Sequence, residues 1–165
     1  MVNASLLTVN EGWLMALDKL SDKQFWLDLE AAPVGSQRNI SKIIDRLVFN
    51  EQGLITAIAQ QFDTGEVLML AWMNKESLLI SLEEGRACYW SRSRQQLWRK
   101  GESSGQVQWL KGLRVDCDGD ALLLEVDQQG PACHTGRKSC FYLGLKGEQL
   151  EVLNAPEIDP ASLYK

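Results

Sequence analysis

Three features of the sequence predict an α+β fold built on a mainly antiparallel β core with one or two helices. Apolar runs of strand length recur between turn signals, one capped helical segment sits among them, and 165 residues suit a single domain plus an appendage. Residues 1–42 read as a short helical N-terminal extension. Leu14, Leu17 and Leu20, then Phe25, Trp26 and Leu29, fit two amphipathic helical pieces that break at Ala32-Pro33-Val34-Gly35-Ser36. Nothing in this region suggests chemistry, so packing or an oligomer contact is the expected role.

The texture changes at about residue 43. Residues 54–61 and 67–72 are apolar runs separated by Asp63-Thr64-Gly65, which predicts a β-hairpin. Asn74 is placed to cap a helix running to Glu84, with Leu78, Leu79 and Leu82 on one face and Gly85 as its stop. Further strands are expected at 87–91, 107–115, 121–126 and 139–143. The chain divides into an extension at 1–42, a main domain at 43–145 and a C-terminal tail at 146–165.

Composition narrows the class. A net charge of −5 argues against a general nucleic-acid binder but leaves room for a local anion site. The N-terminal stretch carries Glu11 and Asp18 and lacks a basic start, and no run approaches the ~18 apolar residues of a membrane span. A soluble, cytoplasmic protein is expected. There the four cysteines would be reduced thiols, available as metal ligands or nucleophiles.

The densest chemistry lies in Val115-Asp116-Cys117-Asp118-Gly119-Asp120 and in residues 130–140. Three of the four cysteines and the single histidine, His134, fall there, with Cys117, Cys133 and Cys140 spanning 24 residues. A zinc site of three cysteines with an open fourth position is what hydrolysis needs, because the metal lowers the pKa of its water from 15.7 to about 7. A closed site completed by Cys88 or His134 stays open at this point, as does a buried-core role for the thiols. Gly130-Pro131 and Gly136 place Cys133 in a loop, which weighs against the core. The aspartates do not form an EF-hand loop: its sixth and twelfth positions, Gly and Glu, would here be Ala121 and Asp127. In extended backbone Asp116, Asp118 and Asp120 would share one side and Cys117 the other, giving a hard cation oxygen and zinc sulfur. The alternative is a solvated acidic turn.

Residues 86–100 hold five positive charges and no acid. Arg92, Arg94, Arg99 and Lys100, with Ser93, Ser103 and Ser104, are candidates for binding a small phosphorylated ligand. Arg137, in the cysteine loop, joins them. A solvated basic face with Trp90 and Trp98 in the core is the alternative.

Four segments together resemble the phosphoribosyl-AMP cyclohydrolase family. They are LITAIAQQFDTGEVLMLAWMN (54–74), YWSRSRQQLWRKGESSG (89–105), VDCDGDAL (115–122) and GPACHTGRKSCFY (130–142). The resemblance covers roughly residues 43–145. It implies zinc on Cys133 and Cys140 of one subunit with Cys117 from the partner, magnesium on Asp116, Asp118 and Asp120, and hence a homodimer with shared active sites. A monofunctional enzyme is expected, without the pyrophosphohydrolase domain fused behind some relatives. Many relatives carry His or Asn after Ser-Gly in the basic segment, where this chain has Gln106. His134 is then the sole imidazole and the candidate general acid/base. The implied reaction, in L-histidine biosynthesis, opens the adenine ring of 1-(5-phosphoribosyl)-AMP at N1–C6 with a zinc-activated hydroxide and magnesium assistance. A nucleobase deaminase is disfavoured, because its Pro-Cys-x-x-Cys signature is absent. A structural zinc module and a nucleotide- or RNA-binding protein without turnover are the rivals from other classes.

Overall fold

The computed structural model describes residues 11–163, with side chains from residue 20 onward. The chain divides into two compact units between Arg46 and Leu47. In the first unit, α1 (Glu11–Glu30) is one continuous helix instead of the two pieces expected. Ser21-Asp22-Lys23-Gln24, between those pieces, contains neither Gly nor Pro to interrupt it. Trp26 is buried and Leu20 is exposed. Leu14 and Leu17 belong to the expected apolar stripe but lie outside the described side chains, and residues 1–10 lie outside the described residues. A short helix α2 (Ile40–Ile44) follows the loop, capped by Asn39, whose side chain accepts from the Ser41 amide at 2.9 Å.

The second unit is built on a six-stranded sheet. Its strands are β1 (Ile55–Gln61), β2 (Val67–Met73), β3 (Cys88–Ser91), β4 (Gln96–Arg99), β5 (Gln108–Val115) and β6 (Ala121–Gln128). They lie in the order β4-β3-β2-β1-β6-β5. Only β1 and β6 are parallel neighbours; the other pairs are antiparallel. An α+β architecture with a mostly antiparallel sheet is therefore what the chain adopts. Burial alternates along β1 and β6, as a sheet with one covered face requires. Ala57, Ala59, Leu68, Leu122, Leu124 and Val126 form its core.

The sheet curls until the segment leading into β3 meets the edge strand β5. The Ala87 amide donates to Gln108 O at 2.9 Å and the Leu110 amide to Gly85 O at 2.8 Å, beside a bridge between Arg86 and Trp109. The segment leading into β3 is thus paired to β5, which covers backbone groups that an open edge would expose. A buried polar chain reinforces this closure. Tyr89 Oη donates to Gln108 Oε1 at 2.7 Å, and Gln108 Nε2 donates to Gln128 Oε1 at 2.8 Å. Tyr89 and Gln108 are fully buried, so each polar atom needs such a partner.

Helix α3 (Lys75–Glu84) has the expected ends. Asn74 and Ser77 form a reciprocal capping box, and Gly85 ends the helix at φ 62°. Its covered face differs from the apolar stripe expected: Ser77, Leu78 and Ser81 are buried, whereas Leu79 is exposed. The serines go inward because they bond backbone. Ser81 Oγ accepts from the Cys88 amide at 2.8 Å and donates to Ser77 O at 2.7 Å, tying the helix to the start of β3. Cys88 is itself fully buried there.

The strand expected at 139–143 does not form. Those residues instead cross β2, with the Cys140 amide donating to Leu68 O at 2.7 Å and Ser139 Oγ to Val67 O at 2.8 Å. A separate hairpin, β7 (Leu143–Lys146) and β8 (Gln149–Val152), follows them. At four residues each, its strands and β4 are too short for their patterns to stand out in the sequence. Among the described residues no helix is long and apolar enough to cross a membrane.

Replacing Ser81 by Ala would leave the buried Cys88 N–H without its acceptor. The expected cost is about 1–3 kcal/mol, the penalty for an unsatisfied buried donor. Urea unfolding of the variant checks it, and an unchanged midpoint would refute the tether between α3 and β3.

Candidate active site

The aspartates occupy the turn between β5 and β6. The alternation of an extended segment does not hold here, because residues 117–120 form a turn and bend, with Gly119 at φ 79°. The turn nevertheless draws the carboxylates together. It is closed by the Asp116 amide donating to Ala121 O at 3.1 Å and by the Ala121 amide donating to Asp116 Oδ1 at 3.0 Å. One oxygen from each of Asp116, Asp118 and Asp120 then lies within 4.8 Å of the others. Asp120 is held above the usual carboxylate range, first by its hydrogen bond with Asp116, then by burial and the charges of Asp116 and Asp118. In Asp116 burial pushes upward, but the Ala121 amide and the hydrogen bonds with Asp120 and Asp118 outweigh it, and its carboxyl is lowered. Three crowded oxygen donors short of positive charge suit a hard divalent cation.

Cys117 sits in the same turn and is exposed. It joins no group of three or more potential metal ligands among the described residues. Cys133 and Cys140 do come together. Hydrogen bonds from Ala132 N to Lys138 O (3.1 Å) and from Cys133 N to Arg137 O (3.0 Å) close the loop between them. Gly136 has φ 74°, and a side chain there would overlap Ile158 O. Cys133 is buried and accepts a bond from Thr135 Oγ1 at 3.1 Å. The Cys140 thiol is pushed up to about 12, by burial first and then by the charge of Cys133 and a hydrogen bond with it. Cys140 is exposed as a residue; the shift reflects the surroundings of its sulfur, which meets Cys133. Two facing thiols suit a soft cation such as zinc but supply two of the three sulfurs expected. His134 stands exposed at the tip of the same loop.

The basic residues disperse. Arg92 and Ser93 lie in the turn between β3 and β4 and line a cleft of about 740 Å³ with Gln52, Leu54, Trp90 and Gln95. The Arg92 guanidinium stacks 5.0 Å from the Trp72 ring, and Arg94 Nε donates to Ser91 Oγ at 3.3 Å. Arg99 pairs with Glu84 on α3 at 2.6 Å, a contact that lowers the Glu84 carboxyl. Arg137 donates to Asn154 O at 2.7 Å and lies 4.2 Å from the Tyr142 ring. Ser103 and Ser104 sit in the turn after β4, where Ser104 O accepts from Gln106 Nε2 at 3.0 Å. Lys100 is buried, with Nζ donating to Ala132 O at 2.8 Å. Gln52, Leu54 and Gln95 also line the cleft, and the sequence reading singled out none of the three as a site residue. The first two come from the turn before β1, far from the basic stretch in sequence.

Comparison with known proteins bears on what this assembly is. The family model for phosphoribosyl-AMP cyclohydrolase matches residues 69–142, which include the arginine turn, the aspartate turn and both loop cysteines. A phosphoribosyl-AMP cyclohydrolase of Alkalilimnicola ehrlichii is 64% identical over 137 residues, covering 83% of this chain and 96% of that protein. The chain belongs to the phosphoribosyl-AMP cyclohydrolase family. The protein of that name from Hydrogenovibrio crunogenus is 56% identical over 146 residues, covering 88% of this chain and 99% of its own length. That from Halorhodospira halophila is 61% identical over 135 residues, 82% and 95% respectively. These alignments take in nearly the whole length of each relative.

Proposed function

We propose that the protein hydrolyses 1-(5-phosphoribosyl)-AMP in L-histidine biosynthesis, opening the adenine ring between N1 and C6. The observation that carries this reading is the 64% identity over 96% of a phosphoribosyl-AMP cyclohydrolase. Hydrolysis adds water across the N1–C6 bond. Its oxygen ends on C6 as a carboxamide carbonyl, a proton goes to N1, and the N1–C6 bond breaks to leave the formimino-aminoimidazole carboxamide ribotide. The phosphoribosyl group on N1 withdraws electrons from C6 and makes that carbon the electrophile.

Cys133 and Cys140, with Cys117 of the partner subunit, would hold zinc, and Asp116, Asp118 and Asp120 would hold magnesium. When bound, zinc supplies the Lewis acidity that makes water nucleophilic near neutral pH, and magnesium offsets phosphate charge. His134, exposed beside Cys133, would take a proton from water and return one to N1. Arg92 and Ser93, with Arg94 beside them, would contact phosphate, a reading supported by the open cleft that the first two line. Arg99 braces against Glu84, and Arg137 against the segment at Asn154.

Residues 1–42 would be an extension of a catalytic domain at 43–145 with a tail at 146–165, in a cytoplasmic homodimer. Cys117 stands apart from the other two thiols, which supports sharing of ligands between copies. Leu143, Leu145, Leu150 and Val152, all exposed, pair across β7 and β8, and a second copy is the natural cover for such an apolar face.

Incubation with phosphoribosyl-AMP should change the ultraviolet absorbance as the ring opens, and a chelator should stop the change. No turnover by zinc-loaded protein would defeat the proposal in favour of a binding module. Neither Cys117→Ser nor Cys133→Ser alone should be active. Mixed heterodimers should regain activity, because one of their two sites collects all three native cysteines; no recovery in verified heterodimers would end shared ligation. For His134→Ala the expected loss of turnover is about 10²–10⁴-fold, the range of general acid–base catalysis, with zinc content unchanged. A wild-type rate would remove His134 from the mechanism, and a loss of zinc would make it a ligand.

A further inference from the structure

Lys100 is the charged residue whose position the phosphate-binding role does not explain. It is 6% exposed, at the end of β4, and a buried lysine needs a compensating partner. Its backbone is held on both sides: the Lys100 amide donates to Ala87 O at 2.9 Å, and Lys100 O accepts from Arg86 Nε at 3.3 Å and Nη2 at 3.0 Å. These anchors lie where the sheet closes. The side chain passes the Trp98 ring, 5.8 Å from Nζ, and ends 2.8 Å from Ala132 O, 32 residues along the chain. Ala132 is the residue before Cys133. Burial lowers the Lys100 ammonium from its ordinary value, and the nearby Cys140 and Cys133 sulfurs act in the opposite sense.

We propose that Lys100 is a positioning residue of the active site: its ammonium holds the Cys133 loop through Ala132 O and offsets the negative charge that Cys133 and Cys140 would carry as thiolate ligands. This rests on the reading of those cysteines as metal ligands. The physical case has two parts. A loop that must present sulfur at a fixed position gains from a rigid anchor on the adjacent carbonyl, and Lys100 supplies one from a closed sheet. Three thiolates on one divalent cation would also leave an excess negative charge, and an ammonium itself withdrawn from solvent would act on it with little screening. One ammonium beside the sulfurs restores neutrality. Burial to 6% leaves little surface for a phosphate, whereas Arg92 and Ser93 line an open cleft.

The test uses full-length, zinc-loaded protein carrying Lys100→Met, Lys100→Gln or Lys100→Arg. Zinc affinity is read by competition with a chromophoric chelator, beside kcat and KM for phosphoribosyl-AMP and the melting of metal-free protein. Met removes both donor and charge, Gln keeps a donor, and Arg keeps both. Zinc affinity should fall about tenfold or more in Met, the usual loss when a group behind a metal ligand is removed. Gln should lose less, and Arg should retain most of the wild-type affinity. kcat should fall while KM stays within about twofold. Wild-type zinc affinity with a raised KM in Met would make Lys100 a substrate contact and overturn the proposal. Equal impairment in all three, tracking the melting of metal-free protein, would make it a packing residue and overturn it too. If Met does not fold, the order of Arg above Gln in zinc affinity carries the test, and its reversal defeats the charge argument. Full zinc retention by a Cys133→Ser control would instead overturn the metal reading itself, whatever the lysine variants do.

Discussion

The closure of the sheet at Gly85–Ala87 against Gln108–Leu110 is the constraint on which the rest of this protein depends. A six-stranded sheet left open would present β4 and β5 as free edges. Curling brings the approach to β3 against β5 and sinks Tyr89, Gln108 and Gln128 into a polar chain spanning three strands. Such a chain is costly unless every member is bonded, so it specifies one register for the closure. That register in turn fixes Lys100, whose amide bonds Ala87.

From this frame the site is hung as loops. The cysteine loop is pinned at one end by Lys100 on Ala132 O and at the other by Cys140 and Ser139 on β2 backbone. Both anchors are hydrogen bonds to backbone, which give direction as well as strength. Between them the loop turns tightly at Gly136, with His134 left outside. A rigid scaffold carrying chemistry on short, pinned loops is the usual division of labour in enzymes.

Much of this was legible in the residues. Asn74 and Gly85 marked the ends of α3, and the turn at 63–65 marked the first hairpin, because caps and turns act locally. The grouping of the three aspartates, and of Cys133 with Cys140, likewise follows from short spacings. Long-range effects were hidden. The run at 139–143 looks like a strand but crosses β2, since its polar groups are claimed by a partner 72 residues away. The serines of α3 face inward because a β3 amide needs an acceptor, which no amphipathic count registers. The basic stretch read as one patch, yet hairpin geometry sends Arg92 to a cleft, Arg99 to Glu84 and Lys100 inside. Charge counts along a sequence cannot show that division, because neighbours on a strand face opposite ways.

The aspartate turn raises a different point about economy of placement. On the proposed reading it serves two subunits, its carboxylates binding one cation and Cys117 completing a zinc site with the partner subunit. The turn is held by the paired bonds between Asp116 and Ala121 and by the Val48 amide donating to Gly119 O at 2.8 Å, with Asp120 kept protonated by its neighbours more than a free carboxylate would be. A cation there would relieve the repulsion and stiffen the segment that carries Cys117. Hard-metal binding and completion of the thiolate site then share one short structure. The two metals would be coupled through turn rigidity, with no need for contact between them.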